Sequence, residues 1–417
     1  IESNTVGTGI RPQFIVEEGR EKAGEMLQKV WRDWAESPAC DSEGCSSLYD
    51  LQGLFIRSVA ESGECLARVR RRRSADGLPV PIQIQLMEGD HLDDYQDGKK
   101  HGGNDLKQGI EFTPFGKREN YWLYPEHPGE QRLFKSTQSR PVPAADIAHG
   151  FRVDRPGQIR GVAWGAPALI SMKDLGDYED HQLIRQKVAA CIMAFERDMG
   201  DGSMGDPSDA EADQIDWLEP GAIAQLGSGR DITLVAPPGT PGYGEYVSVS
   251  LHRIAMAYGV TYESLTGDLK GVNFSSGRMG WIEMHRNVRL WQRRLVINAF
   301  LQRVWGWFVE AAELMGYSTK GIRVAWTPPR REMIDPTKEV PALKDAVRSG
   351  FLSLSDALRE QGRDPREVME SIKADYAMLD ELGIKVETDG RTSTSTPPPV
   401  AGKDEKEDDE GEVPEKD

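Results

Sequence analysis

Residues 258–291 read Y-G-V-T-Y-E-S-L-T-G-D-L-K-G-V-N-F-S-S-G-R-M-G-W-I-E-M-H-R-N-V-R-L-W. A helix ends near Gly259, a loop punctuated by Gly and Ser follows, and a much longer helix leaves it. Over residues 277–315, Trp281, Met284, Val288, Trp291, Leu295, Trp305, Phe308, Ala312 and Met315 recur at threes and fours, with Asn298 and Gln302 interrupting. Unbroken, that helix would span roughly 58 Å, with Gly280 and Gly306 as possible bends. The Trp stripe reads as core packing, with nucleic-acid stacking as the sharper alternative. In the loop, Asn273 and Ser275 or Ser276 are suited to capping the long helix.

Working outward toward the N-terminus, Glu245–Tyr258 forms a shorter helix, with Val247, Leu251, Ile254 and Tyr258 on one face. Its partner is Ala166–Arg197, striped by Leu169, Met172, Leu175, Leu183, Ile184, Val188, Cys191, Ile192 and Phe195. Acids crowd its first half and bases its second, an order that complements the helix dipole. Between the two lies an insert whose short β runs are Trp217–Leu226 and Ile232–Val235. Asp201–Asp209 resembles a calcium loop only superficially, since the alternating ligands and the closing Glu are missing.

Residues 1–165 are expected to form an α+β domain. Helical spacing covers 12–35 (Phe14, Met26, Val30, Trp34) and 46–61, and Gly63 ends the second helix. The period then becomes two: Cys65–Arg71 and Ile82–Leu86 read as an antiparallel pair, and Ile110–Phe112, Tyr121–Tyr124 and Ile147–Phe151 continue the β character. Arg68 and Arg70 to Arg73 invite a nucleic-acid reading; the plainer one is a strand end facing solvent or an acidic neighbour. Beyond Val324–Trp326, a last strand, helices separated at Gly350 and Gly362 fill 336–383, with Val368, Ile372, Tyr376, Leu379 and Leu382 as the inner face of the last. From about Val386 apolar periodicity is lost, and nine acids against three lysines over 403–417 predict a disordered acidic tail.

The chain has 417 residues and a formal net charge of −17, which argues against a surface that clamps phosphates but not against one past which DNA slides. No run approaches the roughly 18 apolar residues of a membrane span. Ile1 is not an initiator Met, so a fragment or processed product is expected. Four cysteines are too few for a disulfide scaffold, and no metal or cofactor is expected: Cys40 and Cys45 lack nearby ligands. No Walker-A loop, H-E-x-x-H or G-x-S-x-G occurs, and no enzyme is expected. The sequon Asn273-Phe274-Ser275 reads as idle.

Five stretches taken in order resemble the portal proteins of tailed bacteriophages, specifically the lambda-type family. They are G-L-P-V-P-I-Q-I-Q-L-M-E-G-D (77–90), W-L-Y-P-E-H-P-G-E (122–130), D-R-P-G-Q-I-R-G-V-A-W (154–164), V-T-Y-E-S-L-T-G-D-L-K-G-V-N-F-S-S-G-R-M-G-W (260–281) and T-P-P-R-R-E-M-I-D-P-T-K-E (327–339). The resemblance implies a non-enzymatic ring, usually of twelve copies, at one vertex of the phage head, where DNA is packaged and ejected. It implies a terminase large subunit and then a head–tail adaptor as partners, with the major capsid and scaffold proteins around it and no membrane. By the same resemblance 1–165 is the wing, 166–197 the stem helix, 198–242 the β clip and 243–265 the return stem helix. The tunnel loop is 266–280, the long wing helix with its closing strand 281–335, the helical crown 336–385, and the disordered tail 386–417.

The tunnel loop would bring Lys270, Asn273, Phe274, Ser275, Ser276 and Arg278 toward the duplex, and this is compatible with capping. Asp174, Asp177, Glu179, Arg185, Lys187, Glu245, His252 and Arg253 would be the stem's charged positions, and Trp217, Glu219, Arg230 and Asp231 the clip's contacts. Two other classes compete: a head–tail adaptor or DNA-binding virion protein that forms no ring, and a metal-dependent nuclease, for which no carboxylate cluster stands out.

Overall fold

The long helix is the member against which the other elements of the main core pack. It runs as α7 (Phe274–Trp291), a π-wound segment (Gln292–Leu301) and α8 (Gln302–Leu314) without a break. The reason for the π turn lies in the sequence. Its buried positions are 284, 288, 291, 292, 295 and 296 on one side and 300, 301, 304, 307, 308, 311 and 312 on the other. An α-helix that placed 300 inward would also place 297 inward, whereas 296 and 295 are the buried ones. One extra residue separates the two stripes, and wider winding keeps both on one face.

The computed structural model describes residues 1–130, 138–190, 193–198, 230–235, 242–329, 333 and 335–384, with backbone alone at 188–190, 193–198 and 230–235. It divides into two units, Ile1–Val340 and Pro341–Asp417. In the first, α1 (Glu2–Thr5), β1 (Arg11–Val16), α2 (Glu21–Ala35) and α3 (Leu48–Ser62) precede a set of antiparallel strands. α3 opens on a capping box between Ser47 and Asp50 and ends at Gly63, whose φ is +100°, a conformation that favours glycine.

β2 (Glu64–Arg71) is the centre of a three-stranded sheet, between β3 (Ile82–Glu88) and β9 (Ile147–Phe151). Its alternation divides two cores. Cys65, Ala67 and Val69 join the main one, built around Trp31, Trp34, Phe55, Phe300 and Phe308. Leu66 points into a second with Met87, Ile110, Tyr121 and Ile147, beneath a five-stranded meander of β4 (Lys100–His101), β5 (Asn104–Lys107), β6 (Ile110–Phe112), β7 (Arg118–Leu123) and β8 (Arg140–Pro143). In the main core Phe55 stacks on Phe300 at 4.6 Å and Trp31 meets Phe308 edge-on at 4.8 Å.

Three expectations are corrected here. Residues 12–35 are not one helical pattern: Phe14 lies in β1, which pairs with β12 (Ile322–Thr327) and matches Phe14 to Val324. Met26 of α2 is exposed. The helix expected over 166–197 is α4 (Leu169–Ala190), and Met193–Asp198 is instead a strand, β10, antiparallel to β11 (Arg230–Val235). Pairing with the β-branched I-T-L-V run of β11 outweighs the helical spacing of Phe195, because an extended partner satisfies the backbone groups that a helix would satisfy internally.

α5 (Tyr243–Tyr258) packs along α4 through Leu175 and Ile254, joined by Ala168 from the turn just before α4. The short α6 (Tyr262–Thr266) leads from it to the loop before α7. α9 (Pro336–Arg348) begins in the first unit. The second unit continues it with α10 (Leu354–Glu360) and α11 (Pro365–Leu382). α10 and α11 are capped at their N-termini by Ser353 and Asp364. Ile372 and Leu382, expected on the inner face of α11, are exposed in the single chain. The segments holding Cys191, Ile192, Trp217–Leu226 and the tail 386–417 lie outside the described residues.

Candidate functional site

The loop from α6 to α7 is a built turn. Thr261 caps α6, and Gly267, at φ +70°, ends it. Asn273 Oδ1 accepts from the Ser276 backbone N–H at 2.8 Å, and Ser276 Oγ accepts from the Asn273 N–H at 3.1 Å. These two residues therefore cap α7, which satisfies its first orphan donors. Lys270, Asn273, Phe274, Ser275, Ser276 and Arg278 all remain exposed, and Lys338 of α9 lies over the Phe274 ring at 5.7 Å. Asn287 Nδ2 donates to the Gly259 carbonyl at 2.9 Å, which ties the end of α5 to the long helix. Of the stripe tryptophans, Trp291 is buried and Trp305 is half-buried against the main core, whereas Trp281 is half-buried beside His285 at 3.9 Å; Trp307, outside that stripe, is buried and its Nε1 donates to the Ala145 carbonyl at 2.8 Å.

A second constellation holds the segment that precedes α4 against the start of β2. A Cβ on Gly63 would sit 2.5 Å from the Val162 carbonyl carbon, so backbone lies directly against backbone. Next to it the buried Glu64 carboxylate accepts from Arg160 Nε at 2.6 Å and from the Gly161 N–H at 3.0 Å. Its other neighbour is His149, whose Nε2 is 2.9 Å away. Arg118 Nη1 approaches His149 Nδ1 at 3.0 Å. A guanidinium only donates, so Nδ1 accepts and the proton of a neutral His149 sits on Nε2, facing Glu64. Burial opposes ionisation of Glu64, but the hydrogen bonds and charges of His149 and Arg160 outweigh it and hold its pKa at about 2. Burial lowers the pKa of His149, and Arg118 and Arg160 add to that against the pull of Glu64. Arg160 also reaches Asp94 at 2.5 Å and the Gly89 carbonyl at 3.1 Å. Much of the 154–164 motif thus serves this joint.

Along α4 and α5 the charged positions point outward. Asp174, Asp177, Glu179, Lys187, Glu245, His252 and Arg253 are exposed, and Arg185 is half-buried. His252 stacks on Tyr262 at 4.2 Å, with Nδ1 2.7 Å from the Ser248 carbonyl. Arg230 and Asp231 open β11 opposite Asp198 and Arg197. Trp217 and Glu219 lie outside the described residues. Three members of the basic run find partners within their own unit: Arg71 pairs with Asp146 at 2.6 Å, Arg72 Nε donates to Gln83 Oε1 at 2.7 Å, and Arg73 pairs with Asp76 at 3.4 Å.

Two features were not anticipated. Residues 269–309 carry six arginines and one lysine against a single acid, Glu283, and Arg286, Arg289, Arg293 and Arg294 lie exposed on the long helix. The signal was in the sequence but hidden beneath a strongly negative total. The second is Glu88, Asp90 and His127, which place ligand atoms within 4.8 Å of one another. His127 Nδ1 accepts from the Gly129 N–H at 3.0 Å. That bond keeps the proton on Nε2, the nitrogen that faces the carboxylates, and leaves it no lone pair for a cation.

Compared with known proteins, residues 1–292 match the family described as phage portal protein, lambda family. The chain belongs to that family. Its function is that of a phage portal protein, a structural component of the virion. This portal chain is 27% identical over 375 residues to a probable portal protein of Halomonas phage phiHAP-1, covering 86% of this chain and 71% of that protein. Among solved structures it is similar to the neck of a native gene transfer agent particle computed with C12 symmetry, at TM-score 0.43 and 13% identity, over 87% of this chain and 98% of that one. For the neck of an empty particle computed with C6 symmetry the values are 0.44 and 14%, over 87% and 88%. Among the described residues no helix is long and apolar enough to cross a membrane.

Proposed function

We propose that this portal chain closes, with about eleven further copies, into a cyclic ring at one vertex of the capsid and that double-stranded DNA passes through its centre. The observation that carries this reading is the α4–α5 pair. Ala168, Leu175 and Ile254 are its only buried apolar cluster among the described residues. Leu169, Ile170, Leu183, Ile184, Tyr243, Tyr246, Val249 and Met256 are exposed. Two amphipathic helices that leave so much apolar surface uncovered call for a neighbour, and a stem of repeated hairpins supplies one on each side.

In this reading residues 1–165 and 281–335 form the wing, 166–197 and 243–265 the stem, and 336–385 the crown. The clip at 198–242, with Trp217, Glu219, Arg230 and Asp231, meets the terminase large subunit and later the head–tail adaptor. Capsid and scaffold proteins contact the outside. Lys270, Asn273, Phe274, Ser275, Ser276 and Arg278 face the channel at 266–280. The test is light scattering of the purified chain followed by negative-stain imaging. Holed rings at about twelve times the 46.4 kDa chain mass are expected. A chain that stays monomeric at high concentration sinks the ring and leaves a head–tail adaptor as the better account.

A further inference from the structure

The long helix presents a basic face that the ring reading does not use. Arg286, Arg289 and Arg293 follow one another at three and four residues and so share a side of the helix, and Arg294 lies beside them. All four are exposed. Arg286 has a screened surface pair with Glu283 at 2.6 Å. Arg289, Arg293 and Arg294 have no ion-pair partner among the described residues; other exposed arginines share that, and what sets these apart is that they stand together on one helix. A face that the chain itself does not neutralise, in a molecule of net charge −17, is a local feature. At physiological salt a charge is felt over roughly 8 Å, so distant acids do not cancel it.

We infer that this arginine face of the long helix is a contact surface for the phosphate backbone of duplex DNA. Arg286 to Arg293 spans roughly 10 Å of helix, about three steps of one strand at 3.4 Å each, so the row is long enough to reach several phosphates of one strand. Each planar fork can take two phosphate oxygens. The face carries no set of amides or hydroxyls to read base edges, so the contact is independent of sequence and compatible with sliding. An acidic polypeptide is the other polyanion such a face could hold. Duplex DNA is favoured because the arginines form a regular row with only Leu290 as an exposed large apolar neighbour, and a protein interface needs an apolar centre. The conduit reading supplies the DNA; the contact itself is tested apart from ring formation.

The experiment measures binding of a labelled duplex to the full chain by anisotropy, from roughly 50 to 200 mM salt, with particle mass followed in parallel. In the triple variant Arg289→Gln, Arg293→Gln, Arg294→Gln, the slope of log affinity against log salt is expected to become shallower by about 2.7, near 0.9 for each phosphate that is no longer neutralised. The triple arginine-to-lysine variant restores the slope, and Lys270→Gln with Arg278→Gln moves it less. The inference is overturned if wild type binds no duplex in this range, or if the glutamine variant keeps the wild-type slope. It is overturned equally if that variant changes the particle mass, which would make the face a protein contact, or if an oligoglutamate binds as tightly as the duplex. A chain that binds DNA with the expected slopes yet forms no ring would sink the ring and leave this contact standing.

Discussion

Helices α8 and α5 have 13 and 16 residues, but they are finished by different means. α8 buries Val304, Trp307, Phe308, Ala311 and Ala312 against its own chain. α5 buries Ser250, Ile254 and Ala255 and leaves Tyr243, Tyr246, Val249 and Met256 in the open. Apolar area removed from water contributes about 25 cal/mol per Å², so the stability of the single chain is concentrated around the long helix. The α4–α5 pair leaves much apolar surface in water, which the proposed ring would cover. Substitutions that matter for folding and those that matter for assembly should therefore separate in space.

The largest expected effect is in the main core. Trp34 is fully buried and its Nε1 donates to the Ile82 carbonyl at 3.0 Å. Trp34→Ala should cost about 3–5 kcal/mol in urea melting of the dissociated chain. A loss below about 1 kcal/mol would break the comparison, since the core would then not dominate stability.

Glu64→Gln comes next, at about 3 kcal/mol, because it removes the buried carboxylate that pairs with Arg160 and leaves that guanidinium with only the exposed Asp94 as counter-charge. The same joint sets a pH dependence. Glu64 has a folded pKa depressed to about 2 from 4.5, so its contribution is full above 4.5 and is lost as pH falls toward 2. His149 is also depressed from 6.5, so stability already declines as pH drops below 6.5, where the unfolded chain takes up a proton that the folded chain resists. Urea midpoints from neutral pH downward should fall in both windows for wild type, and Glu64→Gln should lose the lower one. A midpoint flat down to the Glu64 window would show that the joint does not carry these charges.

On the α4–α5 side, Leu183→Gln with Ile184→Gln should leave the stability of the dissociated chain within about 0.5 kcal/mol, since both side chains are more than half exposed. The fraction recovered as rings should fall sharply. Unchanged ring yield would mean that this apolar surface is not where copies meet.

Legibility followed the same division. Where burial is strong and local, the residues announced it: the Trp stripe, the alternation of β2 and β3, the Asn273 cap and the glycine ends of α3 and α5 were all readable. Phe14 misled because one apolar residue near a helical stripe fits a helix or a strand, and only the distant β12 decides. The last part of the expected 166–197 helix failed for the same reason, since the partner of β10 lies more than thirty residues on. The Glu64–Arg160 joint could not be seen from spacing, because 96 residues separate its members and a buried carboxylate looks like any other acid. The arginine face was legible in a local charge count and hidden in the total.

The smallest expected effect concerns the π turn, and it asks how far the core dictates its own backbone. Counted back from Phe300, the buried positions 296, 295, 292, 291, 288 and 284 lie four, five, eight, nine, twelve and sixteen residues away. Delete one residue from the exposed side of that interval and the distances become three, four, seven, eight, eleven and fifteen, which is the repeat of an α-helix. Asn298 is exposed and stands between the two stripes, so it is the residue to remove. Deleting Asn298 should give a continuous α-helix with the same side chains inside, and a stability within about 1 kcal/mol of wild type. Inserting an alanine at the same place adds a second surplus residue, throws the two stripes out of phase and should cost at least about 2 kcal/mol. Urea midpoints of the two variants decide the matter. Equal losses in both would show that the π winding is fixed by specific contacts of this segment, such as Gln292 Nε2 donating to the Thr5 carbonyl at 3.0 Å, rather than by the phase of the buried stripe.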